Sequence, residues 1–411
     1  METKLWIISI FLFISTIQIL LQLVQYRSAK NPIPDNVADV YDNETYLRWQ
    51  QYHGEHNRLG MLESFVSVIA ITLLFAFDVH SIVASWFGDG FFGLVCAVVL
   101  FDLVVGTLVS LPFSYIKTMK IEEKYGFNRS TKSTFVKDTI IGFITGTIVT
   151  FFIVWAMYLS HKWLGDGMAI LLSALLCLFV LCANLLFPLL SRLQNKFTPL
   201  EEGSLKNKLT DLLTRHGYEV KGIFVMDASR RTTKSNAYFS GFGKSKRIVL
   251  YDTLLETMDE DEICAVFAHE LGHGMHHDIP KLMILNCVQM IFIALLAWAV
   301  LSFSEISTAF GFTQTNYGFA YLVLGNVALP LITQLWGIVM CCHTRRAEYA
   351  ADAQAYKEGY ADALISGLKK LNRASFGHLS PSPLVVLLKY THPPLSRRIS
   401  ALESLKESDK H

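Results

Sequence analysis

The stretch DEICAVFAHELGHGMHHD, residues 261–278, decides how the rest of the chain is read. Ile263, Val266, Phe267 and Leu271 recur at helical spacing, and the acidic run at 259–262 suits the positive end of a helix dipole, so the pattern predicts a helix. Within it, His269-Glu270-Leu271-Gly272-His273 sets two histidines four apart. One helix face then offers both imidazoles to a single Zn²⁺, and Glu270 beside them is placed to activate the water on that metal. The same five residues also fit an amphipathic helix with ordinary solvated histidines, so a third ligand has to decide. The longer histidine-rich pattern needs a glycine and a histidine where this chain has His276 and Ile279. A carboxylate from elsewhere in the chain is therefore the expected third ligand.

Composition places this helix in a membrane protein. Of 411 residues, 52% are hydrophobic and 17% charged, with mean hydropathy +0.36 and net charge +1. The apolar excess argues against a large soluble enzyme, and the lack of a basic surplus argues against nucleic acid as a partner. The seven cysteines show no metal or disulfide spacing and are expected to be reduced. Apolar runs of about 20 residues, the length that crosses a bilayer, lie near 5–25, 64–86, 91–113, 139–160, 168–190, 282–304 and 319–341. Seven transmembrane helices are expected. Lys4 precedes the first run but no small-residue cleavage site follows it, so it reads as an anchor rather than a removed signal peptide.

The basic residues alternate between the links. Arg27, Lys30, Arg48 and Arg58 follow the first run, six Lys and Arg from Lys117 to Lys137 follow the third, and Arg345 and Arg346 follow the last. The links after the second and sixth runs have none, and only Lys162 follows the fourth. This pattern puts the N-terminus outside or in the lumen and the 191–281 segment and C-terminus in the cytosol. Asn43 and Asn128 begin glycosylation triplets in cytosolic loops, so neither is expected to be used. Within the runs, Asn184, Asn286, Gln289, Asn326 and Gln334 are expected to hydrogen-bond between helices, and Asp102 to line a wet cavity.

In the 191–281 segment a helix is expected over 200–216 and strands over 221–226, 236–239 and 247–251. A sheet edge beside the metal helix can take an extended peptide as an added strand, although a plain structural hairpin fits the pattern equally well. The seventh run returns to the cytosolic side just before Arg345-Arg346-Ala347-Glu348-Tyr349-Ala350-Ala351-Asp352. Four apart on a helix, Glu348 and Asp352 share a face, so Glu348 is the expected third zinc ligand and Asp352 the carboxylate that orients a zinc-bound histidine. Further on, His392, followed by Pro393 and Pro394, is placed to donate to an oxyanion, with Arg398 orienting a carboxylate nearby.

Taken together, these motifs, with Ser235-Asn236-Ala237-Tyr238 and the loop from Leu111-Pro112-Phe113-Ser114 to Ile121-Glu122-Glu123-Lys124-Tyr125-Gly126-Phe127-Asn128, make the chain resemble the zinc-dependent type I CAAX prenyl protease family over nearly its whole length. The resemblance implies a membrane metalloendopeptidase whose spans enclose a chamber and which removes the last three residues after a prenylated cysteine. Some members also cut an upstream site. One Zn²⁺ per chain is implied, held by His269, His273 and Glu348, with Glu270 as base, Asp352 orienting a ligand, His392 and Arg398 near the reacting carbonyl, and Asn236, Ala237 and Tyr238 along the peptide path. Two departures stand out: Thr344 occupies a position where Ser often precedes the Arg, and the chain is shorter than typical eukaryotic members. That length points to a bacterial inner membrane; a eukaryotic source implies the endoplasmic reticulum.

The expected architecture is a mainly α polytopic membrane protein with a small β-sheet. Residues 1–190 carry spans one to five, 191–281 the cytosolic-side peptidase segment, 282–341 spans six and seven, and 342–411 the C-terminal segment that supplies the third ligand. The expected partners are a peptide or prenylated protein C-terminus and the lipid bilayer, with the chain acting as a monomer. A membrane quality-control zinc protease shares the metal motif. A non-catalytic transporter or lipid-binding protein is the reading from another class, but a structural zinc site has four protein ligands, whereas three plus a glutamate base favour catalysis.

Overall fold

The computed structural model of the chain describes residues 2–218, 222–230, 233, 237–240 and 247–409. Its apolar segments are helical because in hydrocarbon a helix satisfies every backbone polar group within one segment. The N-terminal half is made of α1 (Glu2–Ser28), α2 (Asn43–Ala76), α3 (Val79–Ser85), α4 (Ala97–Ile116), α5 (Lys132–Leu164) and α6 (Met168–Gln194). Six helical stretches among the described residues are long and apolar enough to cross a membrane, and one of these, Lys132–Leu186, is 55 residues long. That stretch is a hairpin. Gly165, at φ 51°, starts a tight turn, and Phe152 of α5 stacks on Phe179 of α6 with ring centroids 5.4 Å apart.

The apolar run at 64–86 is not one helix. α2 begins far ahead of it, capped by the Asp42 carboxylate on the Thr45 N–H, and stops at Ala76. Asp78 then adopts a left-handed φ of 53° and takes Lys4 Nζ at 2.7 Å, so a charged residue within the run ends the helix. The amides also depart from expectation: Asn184 and Asn326 donate to the carbonyls of Val180 and Leu322 in their own helices, where a carbonyl one turn back is always within reach. Asp102 pairs with the buried His80 at 3.4 Å. All seven cysteines are free thiols.

The second half begins with β1 (Phe197–Pro199) and α7 (Ser204–Arg215), followed by β2 (Ile223–Met226), β3 (Ala237–Ser240), β4 (Arg247–Tyr251) and α8 (Asp252–Thr257). β1 was not expected, being a three-residue edge that contains a proline. The strand order is β1-β2-β4-β3, with β2 and β4 parallel and the other pairs antiparallel, so β3 is an edge strand. α9 (Glu260–Met275) and α10 (Asp278–Ser302) follow, then α11 (Glu305–Thr308), α12 (Tyr317–Val323), α13 (Leu329–Lys357), α14 (Ala361–Ala374), α15 (Pro383–Lys389) and α16 (Leu395–Ser408).

One apolar core joins the two halves. Trp49, Tyr52, Ile121, Tyr125 and Phe127 from the first 130 residues pack with Ala265 and Ala268 of α9, Ala355 of α13, Leu364 and Leu368 of α14, and Ile399 of α16. The loop at 121–128 thus braces α9 from behind. A second core gathers Phe267 and Leu271 of α9 with Leu212 of α7 and with Ile248 and Leu250 of β4.

Candidate metal centre

α9 starts with a complete capping box: Asp259 accepts from the Glu262 N–H at 2.9 Å, and the Glu262 carboxylate accepts from the Asp259 N–H at 3.0 Å. Buried Glu262 also receives Ser366 Oγ and Lys370 Nζ, both at 2.6 Å, tying the start of α9 to α14. The helix ends at Met275, three residues short of the stretch the pattern marks. His277 at φ 54° turns the chain, and Asp278 opens the membrane helix α10.

α13 crosses α9 closely at Gly272. A Cβ on Gly272 would lie 2.9 Å from Ala351 Cα, a distance no real Cβ adopts, so the glycine of the motif is a packing requirement. This contact brings Glu348 between the two histidines. His269 Nε2 is 3.6 Å from Glu348 Oε2, and His273 Nε2 is 3.5 Å from Glu348 Oε1. The ligating atoms of all three residues lie within 4.8 Å of one another.

The other ring nitrogens are held by carboxylates. His269 Nδ1 donates to Asp352 Oδ1 at 2.9 Å, and His273 Nδ1 donates to Asp278 Oδ2 at 2.9 Å, which turns both Nε2 atoms toward Glu348. Arg398 grips Asp352 with two bonds, Nε to Oδ2 at 2.8 Å and Nη2 to Oδ1 at 2.6 Å, and its Nη1 is 3.2 Å from Glu348 Oε2. His392 Nε2 reaches Glu348 Oε1 at 3.2 Å from an exposed position. Arg345 holds the loop that carries His392, donating from Nη1 to the carbonyls of Val386 at 2.8 Å and Tyr390 at 2.7 Å.

The donors suit a small divalent cation. Glu348, Asp352 and Glu270 surround the guanidinium of Arg398, and Asp278, with Lys281 Nζ 3.8 Å away, lies on the far side of His273, so carboxylates outnumber the cations at the cluster. Glu348 Oε2 is buried and, among the described residues, has the Arg398 ion pair but no hydrogen bond of good geometry, the kind of acceptor that an ion satisfies. Edges of about 3.4 Å are expected between ligands of a tetrahedral site with bonds of about 2.0–2.2 Å, close to the separations found here. The electrostatics agree. Burial opposes a charge on His273, but Glu348 and Asp278 outweigh it and hold the ring up to about 9. Burial pushes the Glu270 carboxyl above its ordinary value.

Two cavities meet at this cluster. One, of about 550 Å³, lies between β3, α9, α14 and α16 and reaches Leu364, Leu368 and Asn372; the other, of about 260 Å³, runs toward the membrane along Ile279 and Leu282 of α10. Tyr238 of the edge strand borders both, Ala237 borders the first, and Asn236 lies outside the described residues. The structure thus brings His269, Glu270, His273, Glu348, Asp352, His392 and Arg398 together, with Ala237 and Tyr238 beside them. The sequence reading missed Asp278. The available signal was a carboxylate five residues past the second histidine, which the pattern had absorbed into the end of the helix.

Comparison with known proteins points the same way. Residues 199–406 match the family described as Peptidase family M48, and residues 22–192 match the family described as CAAX prenyl protease N-terminal, five membrane helices. The chain is 30% identical to the CAAX prenyl protease 1 homolog of Oryza sativa subsp. japonica, over 93% of each protein. It is 32% identical to CAAX prenyl protease 1 of Saccharomyces cerevisiae, over 75% of this chain and 71% of that one. The crystal structure of S. mikatae Ste24p superposes with a TM-score of 0.89 at 26% identity, covering 98% of this chain and 99% of that one.

Proposed function

We propose, from the premise that this chain belongs to the type I CAAX prenyl protease family within Peptidase family M48 and is a multi-pass membrane metallopeptidase, that it uses one Zn²⁺ to remove the C-terminal tripeptide after a prenylated cysteine and also cuts other membrane-associated peptides. The observation that carries the reading is the convergence of His269, His273 and Glu348, with Glu270 beside them, on a cavity bordered by an edge strand.

His269, His273 and Glu348 would hold the zinc, which would supply Lewis acidity and lower the pKa of the attacking water to about 7. The chain does the rest. Glu270 takes the proton from the attacking water and returns it to the leaving nitrogen, and its raised pKa suits a group that must both accept and give. His392 donates to the oxygen that becomes negative. Asp352 and Arg398 keep His269 in the tautomer that ligates through Nε2, and Asp278 does the same for His273. The outer edge of β3, with Ala237 and Tyr238 on the cavity and Asn236 next in sequence, pairs with the extended peptide as one further strand.

All the ligands come from one chain, which supports a monomer. Counting the two arms of the 132–186 hairpin as separate passes gives seven spans, and the match over residues 22–192 to a family described by five membrane helices supports that count. The C-terminal end of α1 lies on the side of the metal centre, with Gln25 Nε2 donating to Tyr390 Oη at 3.1 Å. The basic residues that follow α1 make that side cytosolic and leave the N-terminus outside or in the lumen. Asn128 is occupied in a turn, accepting from the Ser130 N–H at 2.9 Å, in keeping with an unused acceptor.

The test is cleavage by the purified enzyme of a farnesylated C-terminal peptide and of its unprenylated counterpart, with and without phenanthroline. The expected outcome is release of the tripeptide from the farnesylated peptide only, abolished by the chelator. Cleavage that survives the chelator overturns the metal mechanism, and equal cleavage of both peptides overturns the substrate assignment.

A further inference from the structure

We propose that the groove between the site-side ends of α1 and α2 binds the headgroup of an anionic glycerophospholipid from the leaflet on the peptidase side. This inference rests on the chain spanning a membrane and not on its peptidase chemistry. The groove encloses about 340 Å³ and is bordered by Tyr26, Lys30, Leu47, Gln51, Gly54 and Arg58. It lies where the apolar part of α1 ends, at the boundary between hydrocarbon and water.

Its charge is positive and available. Lys30 has no carboxylate partner among the described residues. The Arg58 guanidinium lies 5.9 Å from the Tyr26 ring and gives one N–H to the Tyr26 hydroxyl at 3.2 Å, which leaves its other donors free to face the groove. The one acid on the rim, Glu55, is already held by Lys124 Nζ at 2.5 Å and by Tyr125 Oη at 3.1 Å. Two cations therefore face the groove against one carboxylate, Glu55, whose charge reaches Arg58 but is shared with Lys124, so the groove keeps a net positive charge.

The groove is also kept open. Gly54 is interior to α2, where glycine weakens a helix, yet a Cβ there would meet nothing within 4 Å. No neighbour requires the glycine, and a larger side chain would project into the groove. On the same face of α2 as Gln51, Gly54 and Arg58, at steps of three or four residues, come Leu62, Phe65, Ile69 and Leu73, exposed by 53, 57, 44 and 49%. A cationic groove at the boundary that continues as an apolar stripe into the membrane matches an amphiphile with a phosphodiester head and acyl chains. Free phosphate has no use for the stripe, and a zwitterionic lipid gains little from the second cation.

Native mass spectrometry of the full chain in detergent, titrated with phosphatidylglycerol, phosphatidylcholine or inorganic phosphate, tests this. Phosphatidylglycerol is expected to bind to one saturable site and phosphatidylcholine and phosphate at least tenfold more weakly. The double variant Lys30→Gln, Arg58→Gln is expected to lose about thirtyfold in phosphatidylglycerol affinity, the effect of two cations at a membrane surface. Gly54→Phe should block the site, and Gly54→Ala should leave it in place as a folding control. Peptide cleavage in detergent should be unchanged in all these variants. The proposal is overturned by equal binding of the two lipids, by phosphate binding as tight as the lipid, or by unaltered phosphatidylglycerol affinity in the double variant.

Discussion

The two imidazoles of the candidate metal centre sit four residues apart on α9, yet they are anchored to different parts of the molecule. His269 leans on Asp352, which is 1% exposed, lies one turn beyond Glu348 on α13 and is itself locked by both bonds from Arg398. His273 leans on Asp278, the first residue of the membrane helix α10, at the mouth of the cavity that runs toward the bilayer. One half of the centre is built into the peptidase core, and the other is tied to the membrane. The contrast shows that a single motif can be both rigid and coupled to its surroundings, because orientation is assigned by the partner of each ring and not by the ring.

Three substitutions probe this division, and the largest effect is expected at the residue common to both halves. Glu270→Gln should keep the metal and the fold but lose about 10²- to 10⁴-fold in turnover, the contribution of a positioned acid–base group. Steady-state cleavage beside metal analysis by mass spectrometry checks it, and wild-type turnover would remove Glu270 from the mechanism.

Next come the two carboxylates. Asp352→Asn should weaken metal binding by about 10- to 100-fold and also lower the melting temperature, because buried Arg398 keeps Glu348 but loses the charge of its two-bond partner, at a cost of up to about 3–5 kcal/mol. Asp278→Asn should weaken metal binding by only about tenfold, the lower end of that range, and leave the melting temperature where it is. Competition with a fluorescent chelator and thermal melts in detergent provide both readouts. Equal losses of stability in the two variants would erase the distinction between the halves.

The smallest effect concerns a histidine with no carboxylate at all. His378 accepts the Ser380 N–H at Nδ1, 3.2 Å away, and meets Ser28 Oγ at Nε2, 3.0 Å away. Burial and the neighbouring His53 push it down to about 3, whereas His273 is held up to about 9. A depressed value means that the unfolded chain binds the proton first. The stabilisation is therefore complete above the ordinary value of 6.5 and is lost progressively as pH falls toward 3. His378→Gln should flatten the fall in melting temperature between pH 7 and pH 4; parallel curves would show that this ring titrates alike in the folded and unfolded chain and is not depressed.

Much of the centre was legible because its signals are local or follow from topology. Two histidines four apart need only helical periodicity, and Glu348 with Asp352 needs only the same spacing plus a span that returns to the right side. Asp278 was hidden because an acid at the end of an amphipathic pattern reads as more of the same helix, and only the left-handed turn at His277 reassigns it to α10. The break in the second apolar run was signalled by Asp78 and His80 but overruled by the hydrophobic residues around them. The core that joins Trp49 and Phe127 to Ala268 and Ile399 was not legible, since nothing in a single sequence reports contacts more than a hundred residues apart. The strand edge could be proposed, but its place outside the β2–β4 pair depends on a crossover that strand patterns do not encode.

One consequence follows from the crossing at Gly272. With only a hydrogen atom between α9 and the backbone of Ala351, the gap between these helices works as a gauge block for the triangle of donors. Any bulkier residue would wedge the helices apart by a few tenths of an ångström and widen that triangle. The smallest side chain available to a protein therefore sets how closely the helix of the two histidines approaches the helix of Glu348.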